Sequence, residues 1–233
     1  MLKMAPLPRI ITFDCYGTLV QWHAALRGAF RTILAQRADP SRQDSQVTDL
    51  VAAFRTLSMH KQQRPAHCDY KDILRSSLAE VMRQRGLPTR PEDGDMLLAC
   101  LRDIPPHPEV PAALERLSAQ FRLAIISNTD DDLIAATVAS IGVPIDFVIT
   151  AQQAQAYKPD HRLFRYAHAA MGVTQDETIH VGMGQVTDLK VCHELGIRAV
   201  WIDRLGESLN PEWAPDAVLP DLTGLPRLLG AAP

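Results

Sequence analysis

Four short polar clusters hold the side chains of this 233-residue chain that could do chemistry, and each follows an apolar run. Asp14 closes Ile10-Ile11-Thr12-Phe13 and is followed at once by Gly17-Thr18. Ser127-Asn128 close residues 122–126. Lys158 sits in Tyr157-Lys158-Pro159-Asp160, soon after residues 147–150, and Asp188 comes after Gly182, which ends residues 178–181. A carboxylate at the C-terminal end of a strand, beside a glycine turn, lies where open α/β sheets bind ligands. Taken alone, Asp14 reads equally well as a turn cap. If the strands run parallel, however, Asp14, Ser127, Lys158 and Asp188 converge on one crevice. Two carboxylates, a lysine and hydrogen-bonding groups there exceed what turns require.

The elements that must position these residues follow from periodicity. The four runs are short and rich in β-branched residues, which suits buried strands, and residues 198–202 and 217–219 add two more. Between them, residues 111–120, 130–141, 159–171 and 187–195 carry helical spacing. The third of these begins on Pro159, as helix starts allow, and the last is stopped by Gly196. Strand–helix alternation implies a mainly parallel sheet with helices on both faces. Residues 21–103 differ. Apolar spacings of three and four mark helices over 22–36, 47–59, from an Asp69 cap to Gly86, and over 93–102. Breaks fall at Asp39-Pro40-Ser41, 64–67 and 104–108. The expected organisation is a core of residues 1–20 and 104–233 with an inserted helical domain of residues 21–103, a lid over the end of the first strand.

Composition narrows the classes. The net charge is -3, from 24 basic and 27 acidic residues without a block of one sign, which argues against a nucleic-acid partner. The four cysteines form no CxxC pair, so a zinc site or disulfide framework is not expected and a reducing, cytoplasmic setting is. The apolar stretch in the first eight residues is too short for a signal peptide, and no run approaches the ~20 residues of a membrane helix.

In this order, Asp14-Cys-Tyr-Gly17-Thr18, Ser127-Asn128, Tyr157-Lys158-Pro159-Asp160 and His180-Val-Gly182…Asp188 resemble the four motifs of the haloacid dehalogenase superfamily. The insert resembles that family's helical cap. The resemblance implies a Rossmann-like three-layer α/β/α core. Many members are magnesium-dependent phosphatases with Asp-x-Asp-Gly-Thr in the first motif. Their second aspartate protonates the leaving group, and its backbone carbonyl helps bind the metal. Here that position is Tyr16, and Met183 replaces an aspartate of the fourth motif. A thioether is a poor ligand for a hard cation that wants about six oxygens. Halide leaves as a stable anion and needs no proton. Asp-x-Tyr-Gly-Thr resembles the L-2-haloacid dehalogenase branch, which implies a small anionic 2-haloacid substrate and neither metal nor cofactor.

The mechanism so implied is covalent catalysis by a carboxylate. Asp14 attacks C2 of an (S)-2-haloacid, expels halide and forms an ester, which water hydrolyses to the (R)-2-hydroxyacid. Lys158 holds Asp14 charged and placed, while Asp188 orients Lys158 and helps activate the water. Thr18 and Ser127 donate hydrogen bonds to Asp14 or to the substrate, and Asn128 cradles the halide. Arg55, in Phe54-Arg55, resembles the family's cap arginine and suits carboxylate or halide recognition. Tyr16 is expected on the substrate side and Tyr157 beside Lys158. Trp22 reads as packing or pocket wall, and Cys15 as a core thiol on the face opposite Asp14. The family's Ser-Ser-Asn-x-Trp-Asp is here Met183-Gly184-Gln185-Val186-Thr187-Asp188, so Gln185 stands for the asparagine and the water-positioning network departs from pattern. A phosphatase with a degenerate metal site and a non-catalytic binding protein remain as alternatives, and a homodimer is left open.

Overall fold

The computed structural model describes residues 6–36, 43–64, 66–102 and 104–231. The breaks expected at residues 39–41 and at Pro65, the 103 boundary and the start of the amino-terminal stretch lie outside them.

Six parallel strands form one sheet in the order β3-β2-β1-β4-β5-β6. They are β1 (Ile10–Phe13), β2 (Arg122–Ser127), β3 (Phe147–Thr150), β4 (Thr178–Gly182), β5 (Arg198–Ile202) and β6 (Ala217–Leu219). β1 lies in the middle and is buried throughout, which explains its unbroken apolar run where a one-sided strand would alternate. From β1 the chain moves outward through β2 to β3, returns to β4 on the other side of β1, and moves outward again. The reversal between β1 and β4 is the switch point at which such sheets open a ligand crevice. Right-handed crossovers in opposite directions place the core helices on both faces. These helices are α5 (Val110–Ser118), α6 (Asp131–Ile141), α7 (Ala151–Ala154), α8 (His161–Met171), α9 (Lys190–Leu195) and α10 (Leu225–Leu228).

Helices α1 (Trp22–Ala35), α2 (Gln43–Gln62), α3 (Tyr70–Gln84) and α4 (Pro91–Arg102) form the insertion after β1 and pack on one another. Their inner faces supply Leu26, Phe30, Ile33, Phe54, Leu74, Leu78 and Leu97, all buried.

Three helix starts differ from the sequence reading. α8 begins at His161, because Asp160 is its N-cap and accepts from the Arg162 amide at 2.8 Å, leaving Pro159 outside the helix. Asp69 occupies the N-cap position of α3 without a capping hydrogen bond. The carboxylate of Asp130, from the core, takes that role across the interface, accepting from the amides of Tyr70 at 2.7 Å and Lys71 at 2.9 Å. The segment read as a helix from residue 187 opens instead as a single wide turn, Gln185–Leu189, before α9. No helix among the described residues is long and apolar enough to cross a membrane.

Candidate active site

β1 delivers Asp14 to the C-terminal edge of the sheet, where its amide still bonds the carbonyl of Val181 on β4 at 3.0 Å. The chain then turns sharply at Gly17, whose φ of 95° suits glycine. The turn brings Thr18 back so that its hydroxyl donates to Asp14 Oδ2 at 2.8 Å while accepting from the Met183 amide at 3.0 Å. Lys158 Nζ donates to Asp14 Oδ1 at 2.8 Å and to Asp188 Oδ1 at 2.7 Å. One buried ammonium thus bridges two carboxylates that lie 174 residues apart in sequence, 144 and 30 residues from Lys158.

The 183–188 loop holds Asp188 close to β4. The Gly184 amide donates to Asp188 Oδ2 at 2.9 Å and the Thr187 hydroxyl reaches it at 3.3 Å. A Cβ at Gly182 would lie 2.8 Å from the Asp188 carboxylate, so only glycine admits this approach. His180 Nε2 lies 3.3 Å from Asp188 Oδ1, and its Nδ1 lies 2.9 Å from the Thr12 hydroxyl. His180 is a member of the network that motif reading left without a role. The signal was the pairing of β1 with β4, which sets Thr12 opposite His180.

The two carboxylates are electrostatically unequal. Burial raises Asp188, but the Lys158 charge and His180 more than offset it and hold the carboxyl well below the usual range. Burial also raises Asp14, and there Lys158 and Thr18 offset it only in part, while the Asp188 charge adds to the rise. Burial works against the charge of Lys158, yet the two neighbouring carboxylates outweigh it and push its pKa up. Lys158 is therefore a fixed cation, and Asp14, 9% exposed, is the most accessible member of the bridge.

A cavity of about 480 Å³ opens between the sheet edge and the insertion. Ser127 lines it, buried, with a hydroxyl that has no hydrogen-bond partner among the described residues. Arg55 of α2 lines it from above, without a carboxylate partner among the described residues. His23 stands nearby. Burial first, then the Arg55 and His107 charges, lower its pKa to about 4, so its imidazole is neutral near pH 7. Lone-histidine reading gives no hint of it, since the environment comes from α2. Trp22 forms part of the wall, and Cys15 is a buried thiol that burial pushes well up, as a core residue should be.

Tyr16 lines the cavity, and three other expected binding residues, Asn128, Tyr157 and Gln185, sit differently from expectation. Tyr16 presents its ring to the cavity, 5.3 Å from Trp22, while its hydroxyl turns away to Thr137 at 3.3 Å. Asn128 spends its amide as a clamp, because Oδ1 accepts from the Lys158 amide at 2.7 Å and Nδ2 donates to the Lys158 carbonyl and to Gln62 of α2, both at 2.9 Å. It fixes Lys158 and has no hydrogen left for a halide. Tyr157 lies outside the cavity lining and donates to the Cys68 carbonyl at 2.7 Å, joining core to insertion. Gln185 lines the cavity, but Oε1 accepts from the Asn210 amide at 2.8 Å and Nε2 donates to the Ser208 carbonyl at 3.0 Å. Its carboxamide binds the loop after β5 and leaves Asp188 alone.

The donor set does not fit a magnesium ion. Lys158 already bridges the two carboxylates, and a Cβ added to Gly17 would meet Met183 Sδ at 2.5 Å, so a thioether covers the turn after β1. Among the described residues no group of three or more His, Cys, Asp or Glu side chains converges.

A parallel sheet carrying a carboxylate–lysine–carboxylate bridge at its switch point, beneath a helical insertion, defines a hydrolase of the haloacid dehalogenase type. The chain belongs to that family: residues 8–196 match the haloacid dehalogenase-like hydrolase model. It is 26% identical over 212 residues to (S)-2-haloacid dehalogenase 4A of Burkholderia cepacia, covering 89% of this chain and 88% of that one. It is 35% identical over 124 residues to phosphoserine phosphatase of Thermus thermophilus, covering 52% and 50%. Its fold is similar to that of L-2-haloacid dehalogenase from Xanthobacter autotrophicus with chloropropionic acid covalently bound, with a TM-score of 0.81, 21% identity, and 97% and 100% of the chains covered.

Proposed function

We propose that the protein is a metal-independent hydrolytic dehalogenase that converts an (S)-2-haloacid and water to the (R)-2-hydroxyacid and halide. The observation that carries this reading is the Lys158 bridge from Asp14 to Asp188 in a site where Tyr16 and Met183 occupy the positions of a proton donor and a metal carboxylate. The near-full-length likeness to an (S)-2-haloacid dehalogenase supports it.

Asp14 Oδ attacks C2 in line, the carbon–halogen bond breaks, and C2 inverts. Arg55 and the free hydroxyl of Ser127 receive the anionic substrate. Water then attacks the side-chain carbonyl carbon of the Asp14 ester. Lys158 and Thr18 sit one on each Asp14 oxygen, so whichever bonds the oxygen that stays a carbonyl stabilises the oxyanion that forms, and its collapse breaks the bond to the ester oxygen and releases the hydroxyacid. Asp188 chiefly holds Lys158. Both its oxygens are bonded, and to take the water's proton it must release a bond, of which the 3.3 Å contact from Thr187 is the weakest to Oδ2. The four cysteines are free, and the cytoplasm is the proposed location.

The test is single turnover in heavy-oxygen water followed by mass analysis of the peptide containing Asp14. Label in Asp14 supports the ester route; label only in the hydroxyacid defeats it. A second reading, a phosphatase, is favoured by the likeness over half the chain to a phosphoserine phosphatase. Magnesium-dependent release of phosphate, lost in Asp14→Asn, supports that reading over the first.

A further inference from the structure

We infer that this site selects 2-haloacids whose C2 carries a bulky apolar or aromatic substituent and that have no second negative charge. The inference rests on the dehalogenase reading and deepens it. A cavity of about 480 Å³ is on the scale of sites for drug-sized ligands, roughly 300–1,000 Å³, and a two- or three-carbon haloacid leaves most of it unfilled. The lining holds the reacting groups Asp14 and Lys158, with Ser127 on the same sheet edge and Arg55 from α2. Tyr16, Trp22, Tyr70, Met59, Val186 and Trp213 give the lining a large aromatic and aliphatic share, interrupted by polar side chains such as Ser58, Gln62 and Thr187. Met59 and Val186 are two of the few large apolar side chains left exposed among the described residues, at 40% and 36%, and both face this cavity.

Part of the wall is built by a loop that Gln185 fastens. Its carboxamide grips Ser208 and Asn210, and Nε2 also lies 3.4 Å from Glu207 Oε2. Asn210 then caps the turn Pro211–Trp213 through the Glu212 amide at 3.0 Å. This holds Trp213 and Glu207 in the cavity lining, Trp213 as an apolar contact and Glu207 as a negative charge. An apolar substituent is desolvated against that wall, whereas a second carboxylate meets Glu207 with no cation in the cavity wall apart from Arg55 and Lys158, which serve the reaction.

The experiment measures halide release by the full chain from (S)-2-chloropropionate, (S)-2-chloro-3-phenylpropionate and (S)-2-chlorosuccinate. The expected kcat/KM for the phenyl compound exceeds that for chloropropionate by at least about tenfold, since one methylene in an apolar pocket is worth roughly 10–200-fold. Chlorosuccinate is expected to be the poorest. Trp213→Ala should lower the phenyl-to-methyl ratio about tenfold, and Glu207→Gln should raise chlorosuccinate relative to chloropropionate. Chloropropionate turned over as well as or better than the phenyl compound, with a ratio that Trp213→Ala leaves unchanged, overturns the inference and leaves the dehalogenase reading standing. No halide from any of the three overturns both.

Discussion

Arg204, on the loop after β5, donates to the carbonyl oxygen of Thr18 from Nε at 3.1 Å and from Nη2 at 2.8 Å. Nη2 also meets Glu109 at 2.6 Å. The residue whose hydroxyl holds Asp14 is thus anchored by its backbone from the end of β5, two strands away along the same sheet edge. Arg204 touches no reacting group and acts as a positioning residue.

Removing that anchor should misplace Thr18 without altering the cavity wall. Arg204→Ala is expected to lower kcat about tenfold with KM little changed, and to cost about 2 kcal/mol of stability, the scale of a charged hydrogen bond. Lysine cannot reproduce the two-pronged contact, so Arg204→Lys should recover stability more than kcat. Steady-state kinetics and denaturant titration check both.

The Lys158 bridge predicts a non-additive pair. Lys158→Met leaves two buried carboxylates facing each other, and is expected to abolish halide release and cost roughly 3–5 kcal/mol of stability, the range for breaking a buried ion pair. Adding Asp188→Asn removes one of the two charges and should restore much of the stability while activity stays lost. A double-mutant cycle in denaturant reads the difference.

Asp14 must be ionised to attack, and its pKa is raised by burial and by the Asp188 charge. Ester formation should therefore fail toward acid with an apparent pKa above the ordinary aspartate range, being complete above that value and lost as pH falls through it. Asp188→Asn deletes one of the two causes, so the acid limb should move to lower pH. Single-turnover halide release against pH measures it.

The donor set around Asp14 predicts indifference to metal removal. Halide release should be the same with and without a chelator, and magnesium should leave it unchanged.

Asp130 holds the start of α3 onto the core, with Lys71–Asp132 at 2.7 Å beside it. Asp130→Ala strips the cap from two amides and should cost about 1 kcal/mol. It should also raise KM and speed proteolysis between core and insertion, which timed digestion would show.

Much of this site was legible because its chemistry lies at strand ends. Asp14, Ser127, Lys158 and Asp188 each follow an apolar run, and a parallel sheet gathers such positions at one edge whatever the intervening lengths. What escaped reading depends on partners far away in sequence. Asp130 looks like the cap of the helix it precedes, yet its carboxylate serves α3, about 60 residues earlier. Gln185 sits where the family pattern places a polar contact to the site, but the loop at 208–210 offers its amide better partners. Asn128 fits a halide cradle by position, and the Lys158 backbone claims it. His180 needed the strand order before it could be paired with Thr12.

The central place of β1 in the sheet also bears on biogenesis. Asp14 is made before the groups that hold it, which come 144 residues later at Lys158 and, for Thr18, 186 residues later at Arg204. Closing loops of that length is slow relative to local helix formation. During synthesis the insertion can fold on local contacts while Asp14 still lacks its cation. Asp14 therefore has all its partners only after β4 and β5 have docked beside β1, and a nascent chain halted before β4 should carry a folded insertion and a site without Asp188.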